Sequence, residues 1–413
     1  LVNCINETWN DDAPASFANF ISSENIKSRD DLFNYENLLG DNTQKILLPY
    51  IQKTEEMFNK ILTEKYDIRT LPFNEEDNNI HKYSGAKVYP SLDLGIPNNV
   101  QRLAGGFATG MFVTWRCGTA IIPIDATVNV CSSSVFELEN FNVNMSNEEF
   151  QQLIDTIVKE CNDERGFSFD LKSGNHFLIV AKDTLSSKIY VIIHSSAREF
   201  KDSYLGLYPA ENNWYYDKIK SYYDENSNRY FRYIKDEEAK TFIDMAHRLE
   251  TYNVEIHRCL AVHMGKVIEK ERNTYHHYYM PTDNSIAIGT YVEKPGTIVP
   301  IFSNVGKPIY MFEVSDDNWK IDIEGEEFCL IPHGWGQEVD SLFDISLSNG
   351  FDKLIINDET FCIDSKSRII KNGIKKHIRN FEGESFFVKG RKMLKGKIVQ
   401  QFQPLFTYRG EEK

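Results

Sequence analysis

Ten histidines are spread over 413 residues, and several of them stand where an apolar run stops. His176 opens the run SGNHFLIVA after a Gly-Asn pair that makes a tight turn. His194 closes the next run, KIYVIIHSSAR. Two neighbouring strands that each present an imidazole from one edge can share a single metal ion, because neutral imidazole is the commonest nitrogen ligand for transition metals. A pair of hydrogen-bonded structural histidines is the commoner outcome of the same pattern. His333 follows a third apolar run in FCLIPHGWGQ, beside Gly334 and Gly336, whose small size lets a ligand or a backbone approach closely. His257 lies in the helical stretch VEIHRCL, where a satisfied helix histidine is the expected role, and the His276–His277 pair reads as surface. The chain contains no phosphate-binding P-loop, dinucleotide-binding glycine motif, serine-hydrolase elbow or zinc-protease helix motif.

The elements that must hold these side chains are short strands and a few helices. Apolar β-type runs recur after residue 85: AKVYP, MFVTW, TAIIPI, HFLIVA, IYVIIHS, IAIGTYV, IVPIF, IYMFEV and FCLIP. Helical spacing interrupts them at 147–160, at 237–270 and at 340–347. Residues 1–68 read as helical: Ser28 and Asp31 fit an N-terminal box, and Ile46, Leu47, Ile51, Met57, Phe58, Ile61 and Leu62 recur at helical spacing. The acidic, turn-rich segment PFNEEDNNIHKYSG at 72–85 is the expected boundary. The pattern is that of an α+β protein.

Lys and Arg number 46 against 61 Asp and Glu, for a net charge of −15. Proteins whose main task is gripping a phosphate backbone usually carry a basic balance, so any nucleic-acid surface here has to be local. The basic stretches at 366–376 and 389–397 are the candidates, with a solvated charged face the commoner reading. Seven cysteines without a CxxC pair exclude a disulfide framework or zinc ribbon and fit a reducing compartment. No apolar run reaches the length of a membrane span and the N-terminus lacks a signal-peptide pattern, so a cytoplasmic location without membrane contact is expected, meaning host cytoplasm or virion if the source is viral. A chain opening at Leu1 is expected to be a trimmed or processed product.

Taken in order, eight segments resemble the RtcB family of RNA ligases, which join a 3′-phosphate or 2′,3′-cyclic phosphate end to a 5′-hydroxyl end with GTP and manganese through a guanylated histidine. KVYPSLDLG resembles the family's [IV]xxMPDVHxG, and TAIIPIDATVNVCSSSVFEL follows IIPxxVGVDIGCGMxVxxL without a gap. GNHF is intact, HSSAR is similar to HSGSR, and VEIHRC resembles the region of the family's helix histidine. IVPIFSNVG is similar to IIPxNMRDG, PHGWGQEVDS to PHGAGRxxSR, and the terminal QPLFTYRG to KPxxxxKG. The resemblance covers residues 87–410. It implies an RtcB-like fold of central β-sheets flanked by helices at 81–413. The helical pattern ahead of it is expected to form an N-terminal extension at 1–80 that is available to protein partners.

The resemblance also assigns roles, and the departures fall on them. It makes His176, His194 and His257 metal ligands, His333 the guanylated nucleophile, and Asn175 and Arg409 cofactor contacts. The aspartate and cysteine of DxxC fall on Asn129 and Ser132, with Cys131 one position away, where strand alternation turns a side chain to the other face. The PDVH aspartate and histidine become Ser91 and Asp93. Three cation positions become Asn304, Gln337 and Arg409, Ser341 stands where a further arginine belongs, and the RKGA stretch has no counterpart. Two divalent ions against a triphosphate need anionic ligands and cations. What is expected is therefore one divalent ion, manganese or zinc, with GTP binding argued against and RNA held weakly. The leading reading is a degenerate homologue acting by binding, regulation or assembly, ahead of an active divergent ligase and of a structural protein of a virus or large complex.

Overall fold

A computed structural model describes residues 28–33, 42–65, 85–171, 176–199, 206–302, 306–334, most of 337–364, residues 367 and 369, and 378–380 and 394–409. Its architecture is mixed, with helices packed on antiparallel sheets. Asn175, Asn304, Ser341, the first 27 residues and most of the two basic stretches lie outside the described residues.

The apolar spacing at 46–62 forms the helix Asn42–Lys65. Its buried face, Leu47, Leu48, Ile51, Met57, Phe58, Ile61 and Leu62, shares one core with Ala86, Val88 and Leu92 of the strand Gly85–Gly95. Ser28 and Asp31 do pair, the Ser28 backbone N–H donating to the Asp31 carboxylate at 3.0 Å ahead of a single turn, Asp30–Phe33. The helix Asn147–Arg165 starts with a full capping box between Ser146 and Glu149 and stops at Gly166, whose φ of 68° suits only a left-handed cap. The helix expected at 237–270 ends earlier: it spans Asp236–Met264, and Lys266–Ile268 is a strand. The helix expected at 340–347 is corrected too. Ile345–Leu347 pairs antiparallel with Lys353–Ile356, a case where an apolar stretch is too short for its periodicity to decide between helix and strand.

Seven strands lie side by side in the order Thr274–His276, Ser132–Glu139, Ile189–Ser195, Phe177–Asp183, Gly396–Tyr408, Ile309–Val314 and Ile298–Ile301, and Lys266–Ile268 also pairs with Ser132–Glu139. Alternate residues of the central strands enter two different cores. Val135, Ile179, Ala181, Tyr190 and Ile192 join the large core on one face, which we call the front. Phe136, Leu138, Leu178, Val180, Val191 and Ile193 join a second core at the rear, closed by Phe150, Ile154 and Ile157 from one helix and Ile256, Leu260 and Ala261 from the other. Burial on both faces explains why these strands read as continuous apolar runs rather than as alternating ones. A second sheet, containing Gly85–Gly95, Thr109–Arg116, Ser285–Ile288 and Tyr278–Tyr279, contributes to the front core.

Candidate metal centre

His194 ends its strand on the front face. It lies opposite Ser133 on one neighbouring strand and opposite Phe177 on the other. His176 precedes Phe177, so the two histidines expected together do meet, their ring centres 5.9 Å apart. The His176 Nδ1 lies 3.2 Å from the Asp170 carboxylate and its Nε2 3.5 Å from the Cys131 thiol.

Cys131 reaches this point through an irregular approach. Arg102 donates to the Ala126 and Thr127 carbonyls and the Thr127 hydroxyl at 2.7–3.1 Å, and Arg232 forks onto buried Asp125. Between these anchors and the strand, Thr127 and Val130 both hold positive φ, 47° and 53°. Cys131 and Ser132 do face opposite ways, as alternation requires, but Cys131 is the one that faces the histidines; Ser132 faces the rear helix, where the Asn253 amide donates to its hydroxyl at 2.6 Å. Asn129 is spent locally, its side-chain oxygen accepting from the Cys131 backbone N–H at 3.1 Å.

His277 overturns the surface reading of its pair. It is wholly buried, and His276 beside it is partly covered. The strand Thr274–His276 pairs with the start of Ser132–Glu139, and the His277 backbone N–H donates to the Cys131 carbonyl at 3.2 Å. Its ring centre lies 4.8 Å from that of His194 and 4.8 Å from that of His333, against which it stacks. The ligand atoms of Cys131, His194 and His277 all fall within 4.8 Å of one another, a set that can hold a metal ion. Among the described residues, the buried His194 Nε2 has no hydrogen-bond partner, and neither ring nitrogen of His277 has a well-formed one. Burial, then the neighbouring imidazoles, hold both rings well below the ordinary histidine range, with a Tyr275 backbone contact opposing weakly at His277. Neutral rings with spare lone pairs, next to a thiol, are the donor chemistry of a zinc-like ion.

His257 stands apart on the rear face. Its Nδ1 lies 2.7 Å from the Ser134 hydroxyl and its Nε2 2.7 Å from the Ser195 hydroxyl, so a neutral ring has both its donor and its acceptor engaged. Burial pushes it down to about 3, with His276 and His176 adding to the effect. The three histidines expected together therefore divide, two at the front and one behind the sheet.

His333 follows the strand Glu326–Pro332 and touches the same cluster, with its ring centre 6.3 Å from that of His194. Its Nδ1 is 2.7 Å from Asp93 Oδ2, the oxygen that also accepts from the backbone N–H groups of His333 at 3.1 Å and Gly334 at 3.3 Å. A carboxylate acceptor fixes the Nδ1–H tautomer and leaves the lone pair on Nε2. Asp93 is aimed by a register shift in its strand between Pro90 and Gly95 and by Gly110 on the next strand. At Gly110, whose φ is 77°, a Cβ would lie 2.7 Å from the Asp93 backbone. Gly334 needs no such freedom, since its Cβ would meet the Phe302 carbonyl at an ordinary 3.5 Å. Arg409 follows Tyr408, which is registered opposite Leu178, and so stands at the same strand end as His176. Cys131, His277 and Asp93 are the members that the sequence reading missed or set aside. The aromatic run TYHHYYM around His277 was the one signal of burial on offer.

No protein-family model and no curated protein matches this chain.

Proposed function

We propose that the chain is a divergent, catalytically degenerate RtcB-like protein that holds one transition-metal ion through Cys131, His194 and His277 and acts by binding, regulation or assembly. The observation that carries this reading is the buried Cys131–His194–His277 set, whose His194 Nε2 has no hydrogen-bond partner among the described residues. The eight ordered sequence segments support the family, and one thiol with two imidazoles favours zinc over the oxygen-preferring manganese. An ion bound there supplies Lewis acidity next to His333. The substitutions at Asn129, Ser132, Asn304 and Gln337 argue against holding a second ion beside the first, or a triphosphate. The apolar face of the helix Asn42–Lys65 is used inside the chain, so protein partners would meet its outer face or the segment before it.

Elemental mass spectrometry of the purified protein tests the reading. One equivalent of zinc that is lost in Cys131→Ser and in His277→Ala is the expected result, and a wild-type zinc content that neither variant lowers would overturn it. Single-stranded RNA with a 3′-phosphate is expected to bind weakly and to release as salt rises, because only local cations oppose the charge of −15. Fluorescence anisotropy at low and physiological salt measures this.

A second reading, transfer of guanylate to His333, is favoured by the Asp93 contact, which presents Nε2 of that ring as a nucleophile. Incubation with α-labelled GTP and manganese decides between them. An unlabelled chain supports the first reading, and labelling abolished by His333→Ala establishes the second.

A further inference from the structure

Behind the sheet, the helices Asn147–Arg165 and Asp236–Met264 meet at a second cluster of ligand-type side chains. Cys161 lies on the first helix; Cys259 and His263 lie one turn apart on the second, a spacing that puts them on one face. The two sulfurs are 2.8 Å apart, and His263 Nδ1 is 3.4 Å from the Cys161 sulfur and 3.8 Å from that of Cys259. All three ligand atoms lie within 4.8 Å of one another. Cys161 is fully buried in the rear core, whereas Cys259 and His263 are partly open, so one side of the cluster faces water. On the outer edge of the ring, His263 Nε2 lies 3.4 Å from the carboxylate of Glu164, one turn after Cys161.

We propose that Cys161, Cys259 and His263 form a second metal site, for zinc or a similarly thiophilic divalent ion, with Glu164 as the carboxylate that orients the histidine. Two sulfurs and one nitrogen supply three ligands of a tetrahedral ion and leave the fourth position to water on the open side. His263 Nδ1 also lies 2.9 Å from the Cys259 carbonyl, a hydrogen bond that requires Nδ1–H. Ligation replaces that bond. It needs the proton on Nε2, where the Glu164 carboxylate is placed to accept it, the carboxylate–histidine–metal arrangement found around many bound ions. A disulfide between Cys161 and Cys259 would use neither the histidine nor the carboxylate, and the presence of both is why a metal is the favoured occupant. The ion would pin the two rear helices together and is independent of the cluster on the front face.

The test uses the full chain, reduced, stripped with chelator and reloaded with zinc chloride, then desalted for elemental analysis. In a Cys131→Ser background, which removes the front cluster, one equivalent of zinc should remain. It should fall to none in His263→Ala and in the Cys161→Ser, Cys259→Ser pair, and Glu164→Gln should weaken binding by about 10- to 100-fold. Cobalt in place of zinc should give a sulfur-to-metal charge-transfer absorption that the same variants lose. His263 is partly exposed, so its alanine variant keeps the test open if the cysteine pair does not fold. Zinc uptake unchanged by His263→Ala would overturn the proposal. So would an intact mass lower by two hydrogen atoms and restored by reductant, which would identify the pair as a disulfide.

Discussion

One buried, neutral histidine lies against each face of the central sheet, His194 from a strand at the front and His257 from a helix at the rear, and the two differ in how their ring nitrogens are engaged. At the front, His194 meets Ser133 only at 3.5 Å through Nδ1, and its Nε2 has no partner among the described residues. At the rear, His257 is held at both nitrogens by Ser134 and Ser195, each at 2.7 Å, while the Asn253 amide ties the neighbouring backbone at the Val130 and Ser195 carbonyls. Burial and residue type are the same, so neither distinguishes a ligand from a structural histidine. The difference lies in whether the pleat supplies a hydroxyl to each lone pair or proton. By strand alternation Ser134 and Ser195 both point to the rear and engage both nitrogens of His257, whereas Ser133 is the serine of these strands that faces His194 at the front, and that difference sets the two outcomes.

The largest effect expected from this contrast is on metal uptake. His194→Ala should take the front cluster from one equivalent of zinc to none with the fold kept, whereas His257→Ala should leave the front equivalent in place. Elemental analysis alongside circular dichroism separates the two, and zinc loss from the rear variant alone would break the comparison.

Acid should act on both faces together. His194, His257, His276 and His277 all have folded-state pKa values below the unfolded value of about 6.5, with burial the main cause. A base with a depressed pKa binds fewer protons folded than unfolded, so stability rises with pH through the window; it is fully present above about 6.5 and is lost as pH falls toward the folded value, about 3 for His257. Each such ring contributes a slope of about 1.4 kcal/mol per pH unit inside its window. Urea melts in chelator at pH 7.5 and pH 5 should therefore differ by several kcal/mol, and His257→Gln should flatten the dependence.

At neutral pH the same rear position should carry a stability cost and no metal phenotype. His257→Ala strips a partner from each of two buried serines and leaves a cavity, for about 2 to 4 kcal/mol. Gly110→Ala should cost somewhat less, about 1 to 3 kcal/mol, because it combines a φ of 77° with a contact of 2.7 Å to the Asp93 backbone. It should also loosen Asp93 from His333, seen as faster carbethoxylation of His333 mapped by mass spectrometry.

Most of the strands around the site were legible because each is an apolar run closed by turn residues, and the helix Asn42–Lys65 because its apolar spacing is helical. The long strand Gly396–Tyr408 was not legible: GKIVQQFQPLFTY mixes polar residues with an internal proline, which is tolerated here because Pro404 sits at a register shift. In the site, His176 and His194 could be placed from strand ends alone. Cys131 could not, since its direction depends on Val130 adopting a positive φ that a β-branched residue rarely takes. Asp93 depended on a bulge, and His277 on a strand pairing between distant segments, neither of which leaves a local pattern.

The smallest effect belongs to a histidine in a third environment, which sharpens the contrast by reversing its sign. His247 lies on the outer side of the helix Asp236–Met264, with Nδ1 3.5 Å from Glu250 and Nε2 3.2 Å from Asp283. The two carboxylates, Glu250 first, outweigh partial burial and raise it to about 9. A base with a raised pKa contributes stability that is fully present below the unfolded value of about 6.5 and is lost as pH rises through about 9, opposite to the buried rings. The side chain is 39% exposed, so solvent screens the pairs and the contribution should stay under about 1 kcal/mol. His247→Gln should therefore shift the urea midpoint slightly at pH 6, less at high salt, and not at all at pH 10. An equal shift at pH 6 and pH 10 would mean that His247 acts through packing rather than charge, and that carboxylate contact does not set a third class beside the two faces of the sheet.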